Sequence, residues 1–177
     1  MNLEDRLQKF NKISKIHRAQ NAQNIMFVEQ IFDEGFRSEA FLRLEGILEV
    51  QMEYLWLNFL TFSTKSKTNP RNSSLGFNAY IEILWQIGFI SKSQKNDLVY
   101  FHKGRNTVAH YASQHFRMKG HPPDKILEDQ FQKGLKISNE LTDVQNGLTD
   151  SLVNILKDEL KAKKAKQGSK KNLRKSL

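Results

Sequence analysis

Apolar residues recur at three- and four-residue spacing through most of this chain, and the strict alternation expected of a half-buried strand is scarce. The pattern predicts an all-α protein. A first amphipathic segment covers about Leu3 to Arg18 and a second about Asn24 to Phe32, with Gly35 marking the break that follows. From about Ser38 to Phe62 comes the most apolar helix, carrying Phe41, Leu44, Ile47, Leu48, Met52, Leu55, Trp56, Phe59 and Leu60. At about 100° per residue these cover most of the circumference, as a central helix packed on several sides requires. Its one interruption is a stripe of Glu45, Glu49 and Glu53 at i, i+4 and i+8.

The polar run STKSKTNPRNSS then reads as a loop. A short helix follows in LGFNAYIEILWQIG, with Leu75, Ala79, Ile83 and Ile87 on one side and Gly88 where a C-terminal cap belongs. Ser91 and Gln94 form an S-x-x-Q capping box that starts the next helix at about Lys92, and that helix should run to about Ser113. QHFRMKGHPP is a loop. The last helix begins near Asp124, with Leu127, Phe131, Leu141, Val144, Leu148, Leu152 and Ile155 as its inward seam and Gly134 and Gly147 as places where it can bend. The two tryptophans and twelve phenylalanines are expected to pack in the core.

Charge changes the picture at the C-terminus. Of the net +9, residues 157–177 carry nine Lys/Arg and two Asp/Glu, leaving residues 1–156 close to neutral. Past Leu160 apolar positions cease, so residues 161–177 are expected to be a disordered basic tail, able to attract RNA through counterion release without sequence selectivity. Residues 1–160 are expected to form one helical domain. The absence of cysteine excludes a disulfide framework, a thiolate nucleophile and a Cys-type zinc site. No signal-peptide pattern opens the chain and no run approaches about 20 uninterrupted apolar residues, so a soluble, cytoplasmic protein is expected.

Candidate chemistry concentrates in FHKGRNTVAHYASQH, residues 101–115. On a helical wheel Leu98, Phe101, Val108, Ala109 and Ala112 share an apolar side, whereas His102, Asn106 and His110 follow one another at i, i+4 and i+8. Arg105 flanks that stripe with a side chain long enough to reach it. Gly104 costs about 1 kcal/mol relative to alanine inside a helix, a cost that a close approach by a helix or ligand would offset. His102 and His110 are separated by about 12 Å of helical rise, too far to chelate one metal together. The glutamate stripe has no E-x-x-H partner, and its expected task is to hold Arg105 or a lysine in place, with an ordinary solvated face as the equal alternative.

The string RNTVAH, Arg105 to His110, resembles the R-x4-6-H signature of HEPN domains, which usually carry Asn after the Arg. The resemblance is strongest over residues 75–112, where a short helix, a Gly-Phe-Ile turn and a helix bearing the motif follow in the family's order, and looser over 37–160. It implies an up-and-down bundle of four to six helices that homodimerises by apposing the motif helices. It also implies a metal-independent endoribonuclease without cofactor, acting as a toxin or antiviral defence effector beside an antitoxin or regulatory protein.

The catalytic residues it implies are Arg105, Asn106 and His110. His102, Lys103, Arg117 and Lys119 are the expected RNA contacts. Ala112 stands where nucleotidyltransferase-regulated members carry a tyrosine. The residue types suit the chemistry: an imidazole with an ordinary pKa of about 6.5 exchanges protons near neutrality, and a guanidinium grips phosphate with parallel hydrogen bonds. A helical binding module for RNA or a nucleotide, and a dimerisation scaffold, are the alternatives that the same residues allow.

Overall fold

Five helices account for the secondary structure of the computed structural model, which describes residues 3–64, 75–113 and 124–173. They are α1 (Leu3–Asp33), α2 (Arg37–Thr64), α3 (Phe77–Gln86), α4 (Lys92–Ser113) and α5 (Asp124–Leu173). The protein is all-α, and no described helix is long and apolar enough to cross a membrane.

Three helix ends lie where the sequence writes them, at Gly35, Gly88 and Ser91. Gly35 (φ +89°) and Gly88 (φ +80°) take the left-handed conformation that only glycine adopts without strain. Each closes a two-bond C-terminal cap: Phe36 N–H to Ile31 O with Gly35 N–H to Phe32 O, and Phe89 N–H to Leu84 O with Gly88 N–H to Trp85 O. At the start of α4, Gln94 N–H donates to Ser91 Oγ (3.2 Å) while Ser91 N–H donates to Gln94 Oε1 (2.8 Å), so two orphan donors are satisfied reciprocally.

The chain folds as two compact units, residues 22–145 and the terminal segments 1–21 with 146–177. In the larger unit the core is built around α2, with Phe41, Leu44, Leu48, Met52 and Leu55 sealed from solvent. Leu84 of α3, Leu98 and Phe101 of α4, and Phe131, Ile137 and Leu141 of α5 are buried as completely. Phe32 stacks on Phe131 at 3.9 Å, and Phe41 stacks on Phe101 at 5.4 Å while meeting Phe131 edge-on. A buried polar bridge crosses this core: Gln51 Nε2 donates to Ser138 O and Thr142 Oγ1, Ser138 Oγ donates to Gln51 Oε1, and Gln145 Nε2 donates to Gln51 O. With every one of these groups paired, burial of Gln51 and Ser138 carries no desolvation penalty left unmet.

In the smaller unit the first part of α1 and the last part of α5 run antiparallel. Glu4 pairs with Lys164, and Arg18 pairs with Asp150 at 2.6 Å and reaches Asn146 O.

Several expectations need correction. The two segments predicted before Gly35 are one helix, because the AQNAQN joint contains good helix formers and neither Gly nor Pro. In α3 the buried face is Phe77, Tyr80, Ile81 and Leu84, not Leu75, Ala79, Ile83 and Ile87. Asn78, Glu82 and Gln86 recur at i, i+4 and i+8 on the outer side of that helix, and the buried face lies opposite this polar stripe, so the expected face was taken from its flank. Ile155, expected in the inward seam, is 55% exposed, and Val153 is buried in its stead. Trp85 is partly exposed under Lys95, and Phe27 and Phe36 lie at the surface. The disorder expected from residue 161 does not describe residues 161–173, which continue α5. Alanine, lysine and glutamine propagate a helix without an apolar face once the preceding turns supply the nucleus.

Candidate functional site

Two helices of the larger unit, α3 and α4, converge on the glutamate stripe of α2. Glu45 is buried, and its carboxylate bridges two side chains of α4: Oε1 lies 2.9 Å from His102 Nδ1 and Oε2 lies 2.5 Å from Arg105 Nε. A carboxylate accepts, so the His102 ring places its proton on Nδ1, and in its neutral form Nε2 carries the free lone pair. The Arg105 Nε–H is buried and not aligned on the carboxylate, which makes that contact an ion pair before it is a directed hydrogen bond. Arg105 Nη1 donates to Asn106 Oδ1 at 3.1 Å. The guanidinium is thus fixed at two corners, while 30% of its side chain remains exposed.

His102 is positioned from a second side by α3, whose first residue, Phe77, stacks on the imidazole at 5.0 Å with the rings 16° from parallel. His102, expected as an RNA contact, is a ring held by Glu45 and Phe77. Gly76 offers no side-chain cap to α3, and the Phe77 N–H donates instead to the Glu49 carboxylate. Carboxylates are favoured at that end of a helix by its exposed N–H groups.

Burial is nevertheless the largest influence on Glu49 and, with the neighbouring Glu45 charge, raises its pKa above the ordinary carboxylate value; Arg105, His102 and the Phe77 N–H oppose it. Burial likewise raises the Tyr80 phenol, with Glu53 and Glu49 adding to the effect. The stripe is consequently divided among three tasks: Glu45 holds α4, Glu49 caps α3, and Glu53 lies beside Tyr80.

A raised folded-state pKa means that the stability Glu49 lends is complete below its unfolded pKa and is lost as pH rises through the folded value. Glu49→Gln, which keeps an acceptor for the Phe77 N–H, is expected to remove that loss. Urea midpoints should be higher for the variant near pH 7 and converge with the wild type near pH 4. A variant less stable at neutral pH would mean that the carboxylate's charge matters more to the cap than its burial costs.

Gly104 faces α5, where an added Cβ would stand 2.7 Å from Gln130 Oε1 and 3.0 Å from Gln130 Cβ. The close approach expected at Gly104 is therefore that of a neighbouring helix. It lets α4 lie tightly against the core while its opposite side carries the polar stripe. Gly134 does the same from α5: a Cβ there would overlap the ring of Phe101. Gly134, expected from the sequence as a place where α5 can bend, is required instead by packing.

Of the expected site residues, His102, Arg105 and Asn106 form one connected cluster with Glu45. His110 is exposed, one turn beyond Asn106, and Lys103 is exposed on the same helix. Arg117 and Lys119 lie outside the described residues. Phe77 and Gln130 are contributors the sequence did not single out, and no local signal marks either. Among the described residues no three His, Asp or Glu side chains are grouped as metal ligands would be. No protein-family model, curated protein or solved structure matches the chain.

Proposed function

We propose that this chain is an endoribonuclease of HEPN type, working as a homodimer and cutting RNA through the substrate's own 2'-hydroxyl. The reading rests on one observation above the rest: Arg105 is pinned by Glu45 and Asn106 with part of its guanidinium at the surface, on the same helix as an exposed His110. A preset guanidinium loses little freedom when a phosphate arrives, and it stabilises the charge that builds on the non-bridging oxygens.

In the proposed reaction His110 takes the 2'-hydroxyl proton as the 2'-oxygen bonds to phosphorus. The bond from phosphorus to the 5'-oxygen breaks, and a protonated imidazole, from the second copy, supplies the proton to that oxygen. The products are a 2',3'-cyclic phosphate and a 5'-hydroxyl. His102, in the imidazolium form whose Nε2–H can donate on the side away from Glu45, and Lys103 are the proposed phosphate contacts beside the reacting centre. Cytoplasmic RNA and a restraining antitoxin or regulatory protein fit the same reading by analogy.

One observation favours a second reading, that of a helical binding or dimerisation module: Glu45 balances the charge of Arg105, as a purely structural ion pair would. Both readings meet in one experiment. Purified protein is incubated with total RNA in EDTA beside His110→Ala and Arg105→Ala. Cleavage by the wild type and its loss in both variants is expected, with light scattering giving about twice 20.6 kDa. Intact RNA retained by all three proteins would favour the binding module, and equal cleavage by all three would remove these residues from the mechanism.

A further inference from the structure

The net charge of +9 is not spread over the molecule. The larger unit, residues 22–145, holds 14 Lys/Arg and 14 Asp/Glu and is electrically neutral, whereas the terminal unit holds 14 Lys/Arg against 5 Asp/Glu. The whole excess therefore belongs to the antiparallel pair made from the two ends of the chain. Both helices contribute. The α1 end places Arg6, Lys9, Lys12, Lys15 and Arg18 at every third position, and the α5 end adds seven basic residues from Lys157 to Lys171. Each step of three residues falls about 60° short of a full turn, so the α1 positions wind around their helix and do not line a single seam.

The acidic residues of this unit neutralise only part of it. Glu4 pairs with Lys164, Asp150 with Arg18 and Asp158 with Lys161. Lys12, Lys15, Lys157 and Lys163 are exposed and have no ion-pair partner among the described residues. Such a concentration of like charge stores repulsion that costs stability, and a polyanion relieves it.

Two kinds of polyanionic surface compete, and the apolar content chooses between them. A helix that lies on a bilayer needs large apolar side chains opposite its lysines. From Lys161 to Lys171 this helix has none, its only apolar residues being two alanines and a glycine. Among the described side chains of this unit the exposed large apolar ones are Ile16 and Ile155, single residues on different helices and too little to hold the pair in lipid.

We infer that the paired terminal helices are a docking arm for the phosphate backbone of nucleic acid, gripping it without base selectivity. The arm is separate from the Glu45 cluster and stands whether or not that cluster cuts RNA. Its affinity comes from counterions released as lysines meet phosphates, so its signature is salt dependence.

The test uses the full chain and a fluorescent mixed-sequence 2'-O-methyl RNA, which lacks the hydroxyl that cleavage would need and stays intact. Anisotropy is followed from about 50 to about 200 mM KCl. The triple substitution Lys12→Gln, Lys157→Gln, Lys163→Gln is expected to weaken binding at least about fivefold and to flatten the log–log salt slope by about 2, at roughly 0.7 per lost phosphate contact on a single strand. The matched triple Lys92→Gln, Lys125→Gln, Lys136→Gln in the larger unit should stay within about twofold of wild type, and circular dichroism should report equal helix content in all three. Equal weakening by the two triples would reduce the effect to net charge, and no salt-dependent binding by the wild type would remove the arm altogether. Co-flotation with anionic vesicles as tight as the RNA binding would assign it to membranes instead. Cleavage of unmodified RNA by the arm variant at saturating substrate reads the Glu45 cluster separately.

Discussion

Arg105→Lys is expected to lower RNA cleavage nearly as far as Arg105→Ala does, by about 10²- to 10³-fold, the loss typical of removing one transition-state donor. Charge is conserved in the lysine variant, so a mere attraction between cation and phosphate would survive. What disappears is the planar fork. Arg105 uses Nε toward Glu45 and Nη1 toward Asn106 with 30% of its side chain exposed, and a guanidinium has donors beyond those two with which to meet a phosphate. An ammonium group has neither the reach nor the plane to satisfy those partners and a phosphate together. Initial rates on a short fluorescent RNA provide the measurement, with denaturation midpoints alongside, since Glu45 is left with only His102 for company. A lysine variant within about threefold of wild type would mean that charge suffices and that the pinned geometry has no catalytic role.

The second large effect is on folding. Phe101→Ala removes a fully buried ring that stacks on Phe41, and such truncations cost about 3–5 kcal/mol. Gly134→Val introduces atoms where that ring already lies, and overpacking of this kind costs about 1–3 kcal/mol. The two residues share one space. The double variant, with the valine entering the volume the ring has vacated, is therefore expected to be more stable than the sum of the single losses allows. A coupling of at least about 1 kcal/mol in a urea double-mutant cycle is the expected result. Additive losses would show that the helices part locally and that the ring does not set their separation. Because Phe101 precedes His102, the Phe101→Ala variant should also loosen the Glu45 cluster, which NMR of the His102 ring can follow.

The helix ends at Gly35, Gly88 and Ser91 were legible in the sequence because they are written locally. The capping box at Ser91 and the left-handed glycines at 35 and 88 depend on a few adjacent residues and on hydrogen bonds that close within a turn. The polar stripe of α4 could be read for the same reason, since helical spacing alone gathers His102, Asn106 and His110 on one side. The expectation that the glutamates of α2 hold Arg105 is met at Glu45, because a buried carboxylate on a packed helix must find a cationic or donating partner.

Other features had no local trace. The inward face of α3 is an exception: it was expected at Leu75, Ala79, Ile83 and Ile87, although Asn78, Glu82 and Gln86 line the side opposite Phe77, Tyr80, Ile81 and Leu84. Nothing near Phe77 announces that it will stack on an imidazole 25 positions later in the chain. The continuation of α5 past Leu160 escaped the hydrophobic pattern because propensity and an established nucleus, not an apolar seam, extend it.

By itself the sequence determined an all-helical chain, its main breakpoints, the basic excess at its C-terminal end and the Arg105–His110 spacing, all of which follow from backbone periodicity and residue chemistry. Only the tertiary structure decided that one carboxylate would hold both His102 and Arg105, that Gly104 and Gly134 serve close helix packing, and that the net charge resides in a unit built from both chain ends. Those outcomes depend on residues distant in sequence meeting at a few ångströms, and that is fixed by how whole helices pack.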